Sequence, residues 1–275
     1  MTPQHSTRNS SRTLRFYTQV LGLEHLHYGL WEPEDEWSLP GVRQAQARYA
    51  NYLMTLIPAG VKTILDVGCG TGVMVAHLTR LGYTAEGLSP DPSHQRLFQA
   101  RVPSPFHLCG FEEFIPRVQY DCLLMSESAQ YIPVPQLFEV AKTALTPHGY
   151  LVVGDYFVLP QASGPLANSG HRLQAFLSMA DQFGFKLHHQ EDLTDRVTPT
   201  LDVAKAFVET YGLPAVALAT EHMKARRPYL FRLICWLLRK HLRKIQDDLE
   251  LLNSAEFKRT KSYQFLLFQV RDAAH

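Results

Sequence analysis

The chain has 275 residues, 45% of them hydrophobic, with 27 Lys and Arg against 26 Asp and Glu, for a formal net charge of +1. That length supports one large domain, or one domain plus a cap, and so even a charge balance argues against nucleic acid as the main partner. Cys69, Cys109, Cys122 and Cys235 are widely spaced with no CxxC, which argues against a disulfide framework or a zinc site and fits reduced thiols in a cytoplasmic protein.

Residues 1–12 are rich in Ser, Thr and Arg. They are expected to form a disordered tail without the apolar core of a signal peptide. Residues 13–58 are expected to form an N-terminal helical cover, helical in pattern from Leu14 to Ile57 and interrupted by a proline-bearing loop from Glu32 to Gly41. Then come short apolar runs bounded by turn residues: Thr63 to Val67, Thr84 to Leu88, Phe106 to Cys109, Tyr120 to Met125 and Tyr150 to Gly154. Segments of helical length lie between them, such as Val73 to Leu81 and Leu137 to Leu145. Such alternation predicts βαβ units and a parallel sheet covered on both faces.

Phe185 to His189 is expected as a sixth strand and Tyr263 to Val270 as the last. The stretch between them is too long for a simple connection. The expected organisation is a core of residues 59–193 and 262–272, with a helical cap inserted at 194–261. The longest apolar stretch, Tyr229 to Leu238, contains Arg232 and is too short to span a bilayer. Pro228 to Leu252 interleaves basic and apolar residues. It reads either as a membrane-surface helix or as a cap helix with a solvated basic face.

The most informative stretch is Ile64-Leu65-Asp66-Val67-Gly68-Cys69-Gly70-Thr71-Gly72. Its glycines fall on alternate positions between a strand and a helix, where backbone can approach a ligand closely. The spacing is GxGxG, not the GxGxxG of dinucleotide sites. With an acid two positions before the first glycine, DVGCGTG resembles motif I of class I S-adenosylmethionine-dependent methyltransferases. Tyr120 to Ser128 and Leu145 to Val153 (LTPHGYLVV) resemble the fourth strand and the helix–turn–strand of the same class. His27-Tyr28-Gly29-Leu30-Trp31 resembles the HYGxW segment of its tocopherol, sarcosine and phosphoethanolamine types. Glu191-Asp192-Leu193-Thr194, with Pro199-Thr200 after it, is similar to the segment that opens a helical lid in the tocopherol-like group.

The resemblance implies a Rossmann-like α/β fold, a seven-stranded mostly parallel sheet with an antiparallel last strand, under the helical cover and cap. It implies S-adenosyl-L-methionine as cofactor and a small-molecule methyl acceptor as partner. A metal-dependent reaction would want several acids on the rim where Asp155 stands alone, so no metal is expected. Asp66, Gly68, Cys69, Gly70 and Gly72 are the implied binders of the methionine part. Leu88 and Ser89 end the second strand where such enzymes commonly carry an acid for the ribose, so Ser89 or Asp91 is expected to serve. Asp91 also reads as a helix N-terminal acid. Gly110, Phe111 and Glu112 stand where the adenine is met; Phe111 reads equally as core. Tyr28 and Trp31 offer aromatic faces to a sulfonium or anchor the N-terminal segment. Ser126 and Glu127 end the fourth strand at the cofactor, and His27, Tyr28, Glu127 and Tyr131 are the candidate catalytic residues. A protein or nucleic-acid methyltransferase is the weaker alternative, because Ser126-Glu127-Ser128-Ala129 replaces the Asn-Pro-Pro-Tyr type of motif. A cofactor-binding module without turnover is another.

Overall fold

The computed structural model describes residues 20–227 and 252–271, together with Thr18 and Tyr229. The 1–12 tail and nearly all of the Pro228 to Leu252 segment lie outside the described residues.

The chain first runs from Leu21 to Ser38 without regular helix. The helical pattern expected before Glu32 is absent from Leu21 on, while the expected loop is present and ends at Ser38, three residues earlier than Gly41. The residues before Glu32 are held instead by individual hydrogen bonds to distant elements, described below. Helix α1 (Leu39–Thr55) then starts on the Ser38 side chain, which accepts from Gly41 N, with Pro40 in the first turn. There follow β1 (Thr63–Val67), α2 (Val73–Arg80), β2 (Thr84–Leu88), α3 (Pro92–Arg101), β3 (Phe106–His107), β4 (Tyr120–Ser126), α4 (Val134–Ala144), β5 (Leu145–Val158), β6 (His171–Arg172), α5 (Leu173–Gln182) and β7 (Phe185–Asp192). Helices α6 (Thr194–Val197), α7 (Pro199–Phe207) and α8 (Leu213–Arg226), with α9 (Ser254–Thr260), form the described part of the insertion before β8 (Lys261–Val270).

The sheet order is β3-β2-β1-β4-β5-β8-β7, with the two-residue β6 beside β5. β8 runs antiparallel between β5 and β7, and β1 to β5 pair in parallel. The seven expected strands are present, with β6 as the addition. β5 is longer than the apolar run predicts: its start includes the Thr146 to Gly149 bulge and it runs on to Val158.

Strand alternation separates two cores. Leu65, Val67, Leu123, Met125, Leu151 and Val153 face α4 and α5 through Leu137, Phe138, Ala141 and Phe176. Ile64, Cys122, Leu124 and Val152 face α1, α2 and α3 through Tyr49, Leu53, Val75, Leu78 and Phe98. Even-numbered Asp66 shares the second face with Ile64, at the carboxyl end of β1, where open α/β sheets bind ligands.

Candidate active site

The turn after β1 is built by glycine. Gly68 (φ 81°), Gly70 (φ 51°) and Gly72 (φ 79°) are all left-handed, a region costly to L-residues. A Cβ on Gly68 would stand 2.4 Å from Ser128 Cβ, and one on Gly72 2.6 Å from the Phe98 ring. The loop is pinned where Gly68 N (2.8 Å) and Cys69 N (3.1 Å) both donate to the carbonyl of Leu88. Leu88 thus supports the loop through its backbone while its side chain is core. Cys69 is buried, and burial pushes its thiol well up. Asp66 is only 2% exposed, and burial pushes its carboxyl up to about 7. A cation placed there restores the ionised form.

Ser89 directly follows β2, and its Oγ lies 2.9 Å from His94 Nδ1. Asp91 caps α3: its Oδ1 accepts from Ser93 N (2.8 Å) and Ser93 Oγ (2.7 Å). Of the two readings of Asp91, the cap is the one seen. Phe111 is 2% exposed inside the α4-side core. Of its two readings, the core one is seen, with the ring stacked on Phe114. Glu112 is exposed, its carboxylate folded over Gly110, 2.7 Å from where a Cβ would stand.

β4 ends in a tight turn at Ser126-Glu127-Ser128. Glu127 is a non-glycine residue with φ 54°, a strained conformation of the kind that clusters at functional sites. Its N–H donates to the carbonyl of Gly154 in β5 at 2.7 Å. The turn throws the side chain toward the N-terminal segment, where Oε1 accepts from Tyr28 N (2.7 Å) and Tyr263 OH (2.8 Å). No described residue hydrogen-bonds Oε2. Burial pushes the Glu127 carboxyl up to about 8, against the two donors. Ser126 Oγ points to Tyr49 OH, 3.3 Å away.

Around Glu127 stand aromatic rings. Tyr28 packs edge-on to Tyr263 with centroids 5.7 Å apart. Tyr131 is 78% exposed, and desolvation of its hydroxyl, with the charges of Glu127 and Asp155, raises it. Asp155, beyond Gly154 in β5, is buried, accepts from Gln130 N (3.0 Å) and Tyr156 N (2.8 Å), and is pushed up to about 7 by burial. It holds the turn after β4 in place.

Two further expectations are corrected. His27 stacks on Tyr49, ring centroids 4.1 Å apart. A carbonyl only accepts, so His27 Nδ1 donates to Tyr28 O (2.7 Å), and Nε2 accepts from His25 Nδ1 (3.1 Å). Burial lowers its pKa to about 3. Both nitrogens are occupied, and His27 is a poor base. Trp31 is 3% exposed in a small separate core with Leu23, Val42, Ala45 and Val203. Its Nε1 donates to Thr200 Oγ1 at 2.8 Å, as does Gly29 N at 3.0 Å. Trp31 N donates to Arg196 O, and Arg196 pairs with Glu32. Trp31 therefore ties the cover to α6 and α7 and does not line the cleft.

Tyr49, Tyr263 and Lys261 were not singled out from sequence. Tyr49 sits in an amphipathic helix and Tyr263 in an apolar strand, and both read as core. Lys261 Nζ lies 3.6 Å over the Tyr156 ring and donates to Ser169 Oγ at 2.8 Å.

This combination of a β1 glycine turn, a buried acid before it and an antiparallel β8 between β5 and β7 defines a class I methyltransferase fold. A family model described as a methyltransferase domain matches residues 42–197, more than half of the chain, and the chain belongs to that family, whose cofactor is S-adenosylmethionine. It is 29% identical over 100 residues to a ubiquinone biosynthesis O-methyltransferase of Methylobacterium nodulans, covering 34% of this chain and 40% of that protein. It is 30% identical over 99 residues to the uncharacterized methyltransferase Rv3342 of Mycobacterium tuberculosis, covering 35% and 40%. The match thus spans less than half the length of these curated relatives. Geranyl diphosphate C-methyltransferase from Streptomyces coelicolor A3(2), solved with Mg2+, geranyl diphosphate and S-adenosyl-L-homocysteine, superposes with a TM-score of 0.68 at 16% identity over 98% of each chain. The cyclopropane synthase MmaA2 from Mycobacterium tuberculosis does so at 0.64 and 15%, over 89% and 90%. At such identities the likeness is one of fold.

Proposed function

We propose that the chain transfers the methyl group of S-adenosylmethionine to a small-molecule acceptor that loses a proton in the reaction, and that Glu127 receives that proton. The observation that carries this reading is the Glu127 carboxylate: it is raised to about 8 by burial, fixed through Oε1 and without a described partner on Oε2. A base with a proton affinity near the working pH is the efficient one.

The residues present fit the cofactor. The glycine turn leaves room for backbone to meet it, and the buried Asp66 carboxylate is matched by an ammonium. When bound, the cofactor supplies an electrophilic methyl on a sulfonium. Asp66, with the backbone of Gly68, Cys69, Gly70 and Gly72, would hold the methionine end, and Ser89 and Glu112 would serve the ribose and the adenine. Tyr28 and Tyr131 supply aromatic faces that suit a sulfonium. The segment from Leu21 to Ser38 and the insertion at 194–261 act as cover and cap over the core of residues 59–193 and 262–272.

No helix among the described residues is long and apolar enough to cross a membrane. The reading carries a cytoplasmic location. Membrane-surface contact by the Pro228 to Leu252 segment stays part of it only where the acceptor is lipid-like. The test is incubation with methyl-labelled S-adenosylmethionine and a fractionated metabolite extract, read by mass spectrometry, for wild type and Glu127→Gln. A labelled product that falls about 10²- to 10⁴-fold in Glu127→Gln, with cofactor affinity kept, supports the reading. Absence of cofactor binding by calorimetry overturns it.

A further inference from the structure

We propose that Tyr49 and Tyr263 are positioning residues for Glu127: a one-directional hydrogen-bond chain running from the β4 turn through α1 and β8 fixes its carboxylate by Oε1 and leaves Oε2 as the oxygen that meets the acceptor. This rests on the reading of Glu127 as proton acceptor.

The direction of the chain follows from counting protons. A carboxylate only accepts, so Tyr263 spends its single hydroxyl proton on Glu127 Oε1 at 2.8 Å. The Tyr263 oxygen can then only accept from Tyr49, 2.8 Å away. Tyr49 has spent its own proton and accepts from Ser126 Oγ at 3.3 Å. The competing contact of Tyr49 OH with Gly154 O is longer, at 3.4 Å. Both tyrosines are 0% exposed, so no water competes for these hydroxyls. Burial and the neighbouring acids hold both phenols well above their usual range, so they stay protonated. Buried chains of this kind polarise one another, and each donation strengthens the next.

The surroundings leave little else to do this. The groups facing Glu127 are Asp155 and Tyr156 from β5, Tyr131 from the turn after β4, Tyr49 from α1, Tyr28 beside the neutral His27 from the cover, and Tyr263 from β8, while Lys261 faces Asp155. Of these side chains, Tyr263 alone hydrogen-bonds the carboxylate; Tyr28 reaches it through its backbone N–H.

The experiment is a carbon-13 NMR titration of the glutamate side-chain carboxyls, with Glu127→Gln to assign the signal. It is run on wild type, Tyr263→Phe, Tyr49→Phe and Ser126→Ala, with circular dichroism to check the fold. Wild type is expected to titrate at about 8. Loss of the direct donor in Tyr263→Phe moves the midpoint up by about one unit, Tyr49→Phe moves it less in the same direction, and Ser126→Ala least. An unmoved midpoint in folded Tyr263→Phe overturns the proposal, and one moved by Tyr263→Phe alone removes Tyr49 from it. If Tyr263→Phe does not fold, unmoved midpoints in both Tyr49→Phe and Ser126→Ala overturn it. The titration needs neither cofactor nor acceptor. Failure to bind S-adenosylmethionine would therefore sink the methyltransferase reading and leave the chain decided on its own data. Where turnover is measured, the acid limb of its pH profile shifts in the same order.

Discussion

Replacing Asp66 with Asn should stabilise the empty protein while it weakens the cofactor. The folded state holds a proton on Asp66 up to about 7, against 3.8 for an ordinary aspartate. The unfolded chain gives up that proton near its ordinary value. Below that value the group favours neither state. As pH rises toward 7 the unfolded state alone is ionised, and stability is progressively lost. A shift of this size, at about 1.4 kcal/mol per unit, amounts to roughly 4 kcal/mol by pH 8. Asp66→Asn carries no such proton, so its advantage over wild type should grow by roughly 4 kcal/mol between pH 4 and pH 8, measured by urea unfolding. The offset between the two proteins includes the burial of an amide. The slope with pH is therefore the informative quantity, and it cancels the parallel titrations of Glu127 and Asp155. Loss of a charge-assisted bond to the cofactor ammonium costs about 1.5–3 kcal/mol, or roughly 10- to 150-fold in affinity by calorimetry at pH 8. Unfolding free energies of the two proteins that run parallel across this range would refute the account of Asp66 as a buried acid waiting for a cation.

Gly68→Ala and Gly72→Ala meet backbone strain and a hard contact at 2.4 Å and 2.6 Å respectively, and each should lower stability by about 2–4 kcal/mol in chemical unfolding. Gly82→Ala has a similar φ, +93°, with nothing within 4 Å, and should lose only the strain, about 1–2 kcal/mol. Equal losses at all three positions would contradict the packing argument. Tyr131→Phe, at an exposed position, should leave the melting temperature within about a degree or two; a fall in turnover there would mark its hydroxyl as reaching the acceptor. Trp31→Phe breaks the bond to Thr200 and should cost about 1 kcal/mol of stability with cofactor affinity unchanged. A large loss of affinity would return Trp31 to the cleft.

The fold was legible because its signals are local. Asp66-Val67-Gly68 announces a buried strand entering a turn that only glycine can make, and that turn is what the backbone shows. The apolar runs at Thr84 to Leu88 and Tyr120 to Met125 alternate with helical segments, and a parallel sheet follows. Leu21 to Ser38 is the exception. Its spacing of Leu23, Leu26, Leu30 and Trp31 imitates a helical stripe. In the folded chain these residues serve different neighbours: Leu23 and Trp31 one small core, Leu30 another, and Leu26 the space above Gly70. Hydrogen bonds to Glu127, Thr200 and Arg196, up to 171 residues away, replace those a helix would have made, and no local pattern encodes them.

The site was legible only in part, for a related reason. Glu127 could be named because a residue just past a parallel strand falls at the ligand edge whatever its neighbours are. What makes it a base is its environment, and that environment is assembled from far apart in sequence: Tyr28, Tyr49 and Tyr263 approach from 99, 77 and 136 residues away along the contacts Tyr28–Glu127, Tyr49–Ser126 and Tyr263–Glu127. His27 went the other way. Its composition fits a base, but the same packing that delivers Tyr28 N to Glu127 presses the imidazole onto Tyr49 and occupies both nitrogens. The cover thus exchanges one candidate for another: it neutralises the histidine beside Tyr28 and, through the next peptide N–H, holds the carboxylate that takes its place.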